Sequence, residues 1–456
     1  MLIRLSINNF LSFRDEVEFS MLATREKQHA ERVFADQARE LRILPVAAMY
    51  GGNGSGKSNF YKTLEFIRDL VLHPSQNPDE RIPVRSFRLD GKSERLPSRF
   101  AIEVLAPDGR VYRYSIVVTG ERVHEEKLEF VGLSGTKLIY FRDSDHAFQP
   151  GDWFQESLPV EEREFLVFKA RDTLPNQLLL ASLRGRNIRH VDGIINWFKD
   201  GLQLMTPNTV FKQLEISLSA IQGLGDYCDE ALKKADTGIS GLGRKNVPLS
   251  SIPWGERPLG QDIEKLLLKA IPEGKGMLMA GPTGERFTIY HDKDGLTATR
   301  LTTVHHAEDG RSVEFFMSEE SDGTQRFVDL LPAFYDLGKS TSPRVFVIDE
   351  IDRSLHTTLT RNLISVYLKG LSQESRSQLI FTAHDVMLMD QDLLRRDEIW
   401  LAEKDRGGCS TLVPLGSQRG VRSDLVLRKR YLEGEFGGLP RIDSLPHAAT
   451  HIVPAD

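Results

Sequence analysis

Alternating apolar and polar positions open the chain. Ile3, Leu5 and Ile7 share one face of a predicted strand, and Val17 and Phe19 begin a second strand after a polar break. Strands this close along the chain usually pair with each other. The opening pattern therefore predicts an antiparallel pair.

A strand followed by a glycine-rich turn and a helix is predicted next. The apolar segment Leu44 to Tyr50 runs directly into the glycines, and the segment from Asn59 to Leu72 has its apolar residues at helical spacing. Strand-like alternation returns between Phe100 and Phe130, broken by a Pro-Asp-Gly turn. We expect a β-meander attached to a nucleotide-binding core.

The middle of the chain, residues 151–310, contains short amphipathic segments between loops rich in Gly and Pro. It has no sustained heptad repeat, which excludes a long coiled-coil arm and favours a compact, mainly helical insertion. From Ser321 onward the pattern is α/β again, with predicted strands at Val345 to Ile348 and Leu379 to Thr382. The predicted division is 1–150, 151–310 and 311–456, with the core split by the insertion.

Composition and charge narrow the class of protein. Hydrophobic residues make up 40% and charged residues 27%, as in ordinary globular proteins. The net charge is −6, with 59 basic and 65 acidic side chains, so any contact with nucleic acid must be local. Cys228 and Cys409 lie far apart and outside any CxxC pattern, which indicates reduced thiols. No segment is typical of a signal peptide or a membrane helix, so we expect a cytoplasmic protein.

The segment GGNGSGKS satisfies the complete G-x-x-x-x-G-K-S pattern between a predicted strand and a predicted helix. Its backbone N–H groups would surround phosphates, Lys57 would reach the β and γ phosphates, and the Ser58 hydroxyl suits Mg²⁺. A glycine turn that binds nothing is the alternative, and the strand and helix on either side argue against it. The expected ATP-binding residues are Gly51, Gly52, Asn53, Gly54, Ser55, Gly56, Lys57, Ser58 and Asn59.

An apolar strand ending in two carboxylates, Asp349 and Glu350, follows far downstream. This is a Walker B pattern, in which Asp349 would hold magnesium and Glu350 would activate the attacking water. A plain strand end is the alternative when this segment is considered alone. Its position downstream of a complete P-loop favours the catalytic interpretation.

Two further segments complete the candidate site. SDGTQR, which begins at Ser321, offers a hydroxyl, the close-approach glycine Gly323, Thr324 and a helix amino terminus, all suited to a γ-phosphate, although a simple N-cap would look the same. His384 follows a strand end, where an imidazole could contact the γ-phosphate or its water.

Together, GGNGSGKS, SDGTQR, VFVIDEIDRSLH and FTAHD resemble the ABC-type ATPases of the OLD, RecF and SMC group. The opening NNFLSFRDEVEFSM and the closing LLRRDEIWLAEKD and KRYLEGEFGGLPRI are similar to the stand-alone ATPases of prokaryotic anti-phage systems, most closely the ATPase subunit of PARIS. The resemblance implies an α/β fold: an ABC-type P-loop ATPase head with an antiparallel β subdomain.

The same resemblance implies oligomers, because the signature of one head faces the P-loop of another. Ser321 and Gly323 would then act in trans, in a dimer of heads or a larger ring. A lid glutamine is also implied, for which Gln76 is the nearby candidate. A fused TOPRIM nuclease is not expected after His384, so the effector would be a separate protein, by resemblance a TOPRIM nuclease released on sensing a phage protein.

Two rival functions stay open. A DNA-bound repair or loading ATPase of the RecF kind would use local basic clusters, Arg184, Arg186 and Arg189 in the middle and Arg419, Arg422, Arg428, Lys429 and Arg430 near the end. Such clusters are more often solvated faces or partner surfaces. A scaffold that binds ATP without turnover is the other rival, and Glu350 argues against it because a binding module needs no general base.

Overall fold

The structure is a computed structural model that describes residues 1–133, 135–144, 147–152, 158–186, 188, 191–211, 214–249, 252, 261–280, 285–339, 342–418 and 426–440. Within these residues the chain forms two compact units. The first comprises Met1–Leu204, Pro343–Asp349 and the described part of Ser372–Asp456. The second comprises Met205–Ser342 and Glu350–Leu371.

Strands and helices occur throughout the described residues. The strands are β1 (Leu2–Asn8), β2 (Val17–Ser20), β3 (Phe34–Asp36), β4 (Leu41–Ile43), β5 (Val46–Tyr50), β6 (Ser98–Leu105), β7 (Val111–Val118), β8 (Val123–Gly132), β9 (Gly135–Asp143), β10 (Phe148–Pro150), β11 (Leu202–Met205), β12 (Ile239–Val247), β13 (Gly276–Ala280), β14 (Arg286–Asp292), β15 (Gly295–His306), β16 (Ser312–Phe316), β17 (Val345–Ile348), β18 (Gln378–Thr382), β19 (Ile399–Lys404) and β20 (Ser410–Pro414). The helices are α1 (Lys57–Leu72), α2 (Val160–Asp172), α3 (Leu179–Ser182), α4 (Asp192–Asn196), α5 (Leu214–Ala220), α6 (Leu224–Lys234), α7 (Gln261–Ala270), α8 (Asp322–Leu337), α9 (Thr357–Lys369) and α10 (Leu427–Leu432).

An antiparallel sheet in the first unit has the order β10-β9-β8-β7-β6-β1-β2. Leu5 in β1 lies opposite Phe19 in β2 on one side and Ile102 in β6 on the other. The predicted opening pair and the predicted meander are therefore both confirmed, and they belong to one sheet.

The second sheet of this unit has the order β11-β17-β18-β5-β19-β20. Strands β17, β18, β5 and β19 are parallel, and β20 returns antiparallel to β19. Every residue of β5, β17 and β18 is buried, as expected for parallel strands covered on both faces. The predicted α/β fold with an antiparallel β subdomain is confirmed.

Aromatic packing joins the two sheets to the helix behind the glycine loop. The ring of Phe19 lies 4.7 Å from that of Phe60 in α1 and 4.8 Å from that of Trp400 in β19. Such pairs stabilise a core beyond the area they bury. The position of α1, which carries the glycine loop, is thus fixed by β2 and β19.

The second unit contains α5, α6, α7, α8 and α9 and its own antiparallel sheet, in the order β12-β15-β14-β13, with β16 also paired to β15. Its hydrophobic cluster includes Leu267 in α7 with Phe287 and Ile289 in β14. Between Ile239 and His306 the described residues are mainly strands, so the expectation of a mainly helical insertion is wrong there. The described residues between 151 and 204 also belong with the first unit rather than with an insertion.

Two general expectations can be compared with the structure. Cys228 and Cys409 are both buried free thiols. Within the described residues, no helix combines the length and the apolar character that crossing a membrane requires.

Candidate nucleotide-binding site

Three parallel strands of the first unit end at the same level. Ile348 in β17 pairs with Phe381 in β18, and Thr382 pairs with Met49 in β5. The residues that follow these strands therefore emerge along one sheet edge, where ligands bind in open α/β sheets. Gly51 and Asp349 are two of them.

The glycine loop after β5 has the backbone conformation of an anion-binding concavity. Gly51, Gly54 and Gly56 have φ angles of +154°, +73° and +117°. A side chain at Gly51 would collide with the Ala402 carbonyl, and a Cβ at Gly56 would lie 2.6 Å from Ser410 Oγ. These glycines let the backbone curl tightly between β5 and α1, as in loops that bind a phosphate group through backbone N–H groups.

The start of α1 adds further donors to this loop. Its N-cap, Gly56, has no side chain to cap the helix, so the first-turn N–H groups keep their partial positive charge for an anion. Lys57 is buried, and its Nζ donates to the carbonyl oxygens of Gly51 at 2.6 Å and Gly52 at 3.2 Å. Ser55 Oγ is buried and has no hydrogen-bond partner among the described residues. These features fit a polyphosphate.

Asp349 is buried at the end of β17, and its Oδ1 accepts a hydrogen bond of 2.6 Å from Thr382 Oγ1 at the end of β18. The carboxylate is therefore held at the sheet edge by a neighbouring strand. With the partly exposed Ser58 hydroxyl, the first unit supplies the hard oxygen donors that Mg²⁺ prefers.

His384 lies just beyond the same edge. The N–H of Ala383 continues the ladder by donating to Met49 O at 3.1 Å, and the exposed His384 comes next. The predicted position of this imidazole after a strand end is confirmed. Its contact with a nucleotide stays a prediction.

The remaining predicted residues belong to the second unit. Glu350 is half-buried with φ of +49°, and its carbonyl accepts a hydrogen bond from Arg353 N at 3.1 Å. A left-handed non-glycine residue is a strained feature that often marks a functional site. The sharp turn lies directly after Asp349, the residue that follows β17.

The SDGTQR segment forms the start of α8. Ser321 is the N-cap, and its Oγ accepts from Thr324 N at 3.2 Å and lies 2.9 Å from Thr324 Oγ1. A Cβ at Gly323 would lie 2.6 Å from Ser354 O, so the approach of the 351–356 segment requires glycine. The N-cap interpretation is confirmed. The side chains of Ser321 and Asp322 stay exposed, which leaves this helix end accessible to another molecule.

The structure also reveals residues that the sequence analysis did not single out. Ser12 Oγ accepts hydrogen bonds of 2.7 Å from Asn59 Nδ2 and from Ser410 Oγ. The Asn59 amide, expected at the nucleotide, thus bonds to Ser12 in this structure, and its contact with a nucleotide stays a prediction. Thr382 is the other addition, and its one sequence signal is a polar residue that ends an apolar strand.

The basic clusters are partly neutralised within the described residues. Arg430 pairs with Glu435 at 2.8 Å, and Lys429 lies 3.9 Å from Glu433. Arg186 lies over the ring of Phe165. Three members of the basic clusters, Arg189, Arg419 and Arg422, lie outside the described residues.

Gln76, the candidate lid glutamine, is exposed.

This site can be compared with known proteins. The family described as "AAA domain, putative AbiEii toxin, Type IV TA system" matches residues 46–390, from the strand before the glycine loop to beyond His384. The chain belongs to this family. The family match and the geometry of the loop agree, and the protein is a P-loop ATPase.

Similar solved structures include the SMC head domain from Thermotoga maritima, at 13% identity and a TM-score of 0.35 over 91% of this chain and 98% of that one. The recombination mediator protein RecF with ATPrS, in the RecFOR pathway, is 14% identical with a TM-score of 0.31, over 91% and 98% of the two chains. RecF with ATP is 12% identical with a TM-score of 0.32, over 84% and 93%. A comparison with curated proteins gives no match.

Proposed function

We propose that the protein binds MgATP at the glycine loop and hydrolyses it between two copies of the chain. The observation that carries the proposal is the sheet edge itself, where the concave loop, buried Lys57 and the Asp349 carboxylate held by Thr382 come together. In this proposal Lys57 leaves the carbonyls of Gly51 and Gly52 for phosphate oxygens. Ser58 and Asp349 hold magnesium, which neutralises phosphate charge.

The remaining residues have distinct proposed roles. Glu350 takes the proton of the attacking water, and His384 contacts the γ-phosphate or that water. Ser321, Gly323 and Thr324 act from a second copy of the chain, where the accessible amino terminus of α8 favours the γ-phosphate charge. A site shared between copies makes turnover depend on assembly.

At the cellular level, we propose an oligomeric sensor and scaffold of anti-phage defence that holds a separate effector and releases it when a phage protein is sensed. The likeness of the opening and closing segments to PARIS-type ATPases supports this role, and so does a family description that names a toxin and a toxin–antitoxin system. A TOPRIM nuclease is the expected effector by the same resemblance.

The enzymatic proposal is tested with two variants. Lys57→Ala removes the charge that faces the phosphates, so ATP binding and hydrolysis should both be lost. Glu350→Gln keeps the shape of the side chain but removes the base, so ATP should still bind while turnover falls by about 10² or more. Equilibrium dialysis with ATP and a phosphate-release assay separate these outcomes. Wild-type rates of phosphate release in both variants would contradict the proposed mechanism.

The cellular proposal is tested by purifying the tagged chain from its host with ATP present. Recovery of a stoichiometric nuclease-like partner on a multimer supports the scaffold role. An assembly that depends on DNA and lacks such a partner would instead favour a RecF-type repair ATPase. Nuclease treatment before purification distinguishes the two kinds of assembly, because only the DNA-dependent one dissociates when the DNA is degraded.

A further inference from the structure

A glycine-rich turn at residues 436–440 lies against the glycine loop of the nucleotide site. Gly52 N donates a hydrogen bond of 2.8 Å to Gly438 O. A Cβ at Gly52 would lie 3.1 Å from the N, Cα and Cβ atoms of Pro440. The two segments are 386 residues apart in sequence (438 minus 52) and touch through backbone atoms.

The turn has a backbone shape that favours glycine. Gly437 and Gly438 have φ angles of +76° and +74°. A side chain at Gly437 would collide with the Glu403 carboxylate, and a Cβ at Gly438 would lie 3.2 Å from the ring of Tyr431. Two consecutive left-handed residues are costly for any other residue type, so the turn aims its carbonyl at one fixed point.

Buried aromatic residues hold this turn in place. Tyr431 in α10 and Phe436 are both buried, and Tyr431 OH donates to Gly438 O at 3.1 Å. The Gly438 carbonyl therefore receives two hydrogen bonds, one from Tyr431 and one from Gly52. A carbonyl oxygen accepts two, so its capacity is filled.

Gly52 is in turn the residue on which the loop's internal hydrogen bonds converge. Its carbonyl accepts from Ser55 N at 3.2 Å and from Lys57 Nζ at 3.2 Å, while its N–H is fixed by Gly438. The position of this one residue therefore bears on both the curvature of the loop and the lysine proposed to reach the phosphates. An ordered loop binds with less entropy to lose.

We propose that the 436–440 turn is a positioning element of the nucleotide site, which holds Gly52 through the Gly438 carbonyl and so preorganises the glycine loop for ATP. This inference rests on ATP binding at that loop. Disturbing the turn weakens binding of ATP and of its transition state to a similar extent. The expected signature is therefore a higher KM with a nearly unchanged kcat.

The first variant is Gly437→Ala, which places a Cβ against the Glu403 carboxylate at a residue with a left-handed φ, so the Glu403 side chain and the strained turn must readjust. We expect the KM for ATP to rise about tenfold with kcat changed by less than about twofold, a loss of about 1.4 kcal/mol in binding. Adding Glu403→Ala removes the collision and should restore part of the KM. The milder Tyr431→Phe keeps the packing and removes one hydrogen bond, with an expected rise of about threefold.

The matched control is Gly109→Ala. Gly109 also has a left-handed φ of +81°, and its Cβ would meet no atom within 4 Å, so this variant has the backbone strain without a collision. Its KM should equal that of the wild type. A circular dichroism spectrum and a melting temperature confirm folding, and Tyr431→Phe carries the test if Gly437→Ala does not fold.

An unchanged KM in folded Gly437→Ala and in Tyr431→Phe would overturn the inference, as would an equal rise in Gly109→Ala. The proposed function fails in a different way, with wild-type protein that lacks ATPase activity or with activity that survives Lys57→Ala. If the protein hydrolyses ATP in a Lys57-dependent way but its KM does not change in the turn variants, the ATPase proposal stands and the proposal for the 436–440 turn is wrong.

Discussion

At the scale of single residues, Asp349 is oriented by a partner on the neighbouring strand. Thr382 Oγ1 donates to Asp349 Oδ1 at 2.6 Å, and both side chains are buried. A buried carboxylate depends strongly on such a hydrogen bond for its direction. Residues that orient a metal ligand in this way commonly change metal affinity or activity about 10- to 100-fold when removed.

We therefore expect Thr382→Val, which keeps the volume and removes the hydroxyl, to raise the Mg²⁺ concentration needed for half-maximal ATPase activity about tenfold. Titration of ATPase activity with MgCl₂ at saturating ATP measures this. Thr302→Val is the matched control, because Thr302 is a buried strand threonine whose hydroxyl has no partner among the described residues. Identical Mg²⁺ curves for Thr382→Val and the wild type would contradict the orienting role.

The site could be predicted from the sequence where its chemistry is local. The glycine loop, the paired carboxylates and His384 each occupy one short segment, so a spacing pattern is enough to identify them. Thr382 and Ser12 were not predicted because each acts through a residue far along the chain. Thr382 bonds to Asp349, 33 residues away, and Ser12 bonds to Asn59, 47 residues away. Such contacts depend on which strands pair and which loops approach each other, and a local sequence pattern does not predict this.

At the scale of elements, an ionic cluster fixes the segment before β19 to the segment after β2. Arg395 donates to both carboxylate oxygens of Asp397 at 2.8 Å, and Thr24 donates to Asp397 through its N–H and its hydroxyl. Arg32 and Glu398 form a second buried pair at 2.6 Å. Buried pairs of this kind are costly to break, because the remaining charge has no compensation.

The pKa of Asp397 gives this cluster a pH dependence. Burial opposes ionisation, but the hydrogen bonds and charge of Arg395 and the hydrogen bonds of Thr24 outweigh it, so the pKa lies below its usual value. The folded state therefore binds fewer protons than the unfolded chain in the acid range. The stabilisation is complete above a pH of about 4 and is lost as the pH falls through the folded pKa.

Asp397→Asn should accordingly lower the free energy of unfolding by about 3 kcal/mol at neutral pH. The difference from the wild type should shrink as the pH falls below about 4, since protonated aspartic acid and asparagine then carry the same charge. Urea unfolding followed by fluorescence from pH 7 to pH 3 measures both effects. Asp392→Asn, an exposed change nearby, should follow the wild-type curve. A constant difference at all pH values would rule out the ionised pair as its source.

Elements were predicted well where one periodicity dominated. The parallel strands are continuous apolar runs, and α1 has a clear helical stripe. The strands from Ile239 to Phe316 were missed because β15 contains five threonine or arginine residues among its apolar positions, and β12 contains two glycines. Their alternation is weak, and pairing with neighbouring strands supplies what the local pattern lacks.

At the scale of the whole molecule, the candidate chemistry is divided between two compact units of one chain. The phosphate loop, Asp349 and His384 belong to the first unit, while Glu350 and the Ser321 helix start belong to the second. In an ATP site shared between two copies, one chain contributes its loop and the other its signature. If the loop is inactivated in one chain and the signature in another, mixing the two chains should then restore part of the ATPase activity.

Lys57→Ala and Ser321→Ala proteins should each be inactive alone, and their mixture should recover part of the ATPase activity. In a mixed pair, one of the two sites combines the intact loop of the Ser321→Ala chain with the intact signature of the Lys57→Ala chain. Phosphate release is measured after incubation of equimolar proteins, since subunits need time to exchange. Mixing Lys57→Ala with a double Lys57→Ala, Ser321→Ala chain is the control, because no pair then contains an intact loop. Absence of recovery while co-purification of differently tagged chains shows that mixed oligomers form would exclude a shared site, and Ser321 would then act within its own chain.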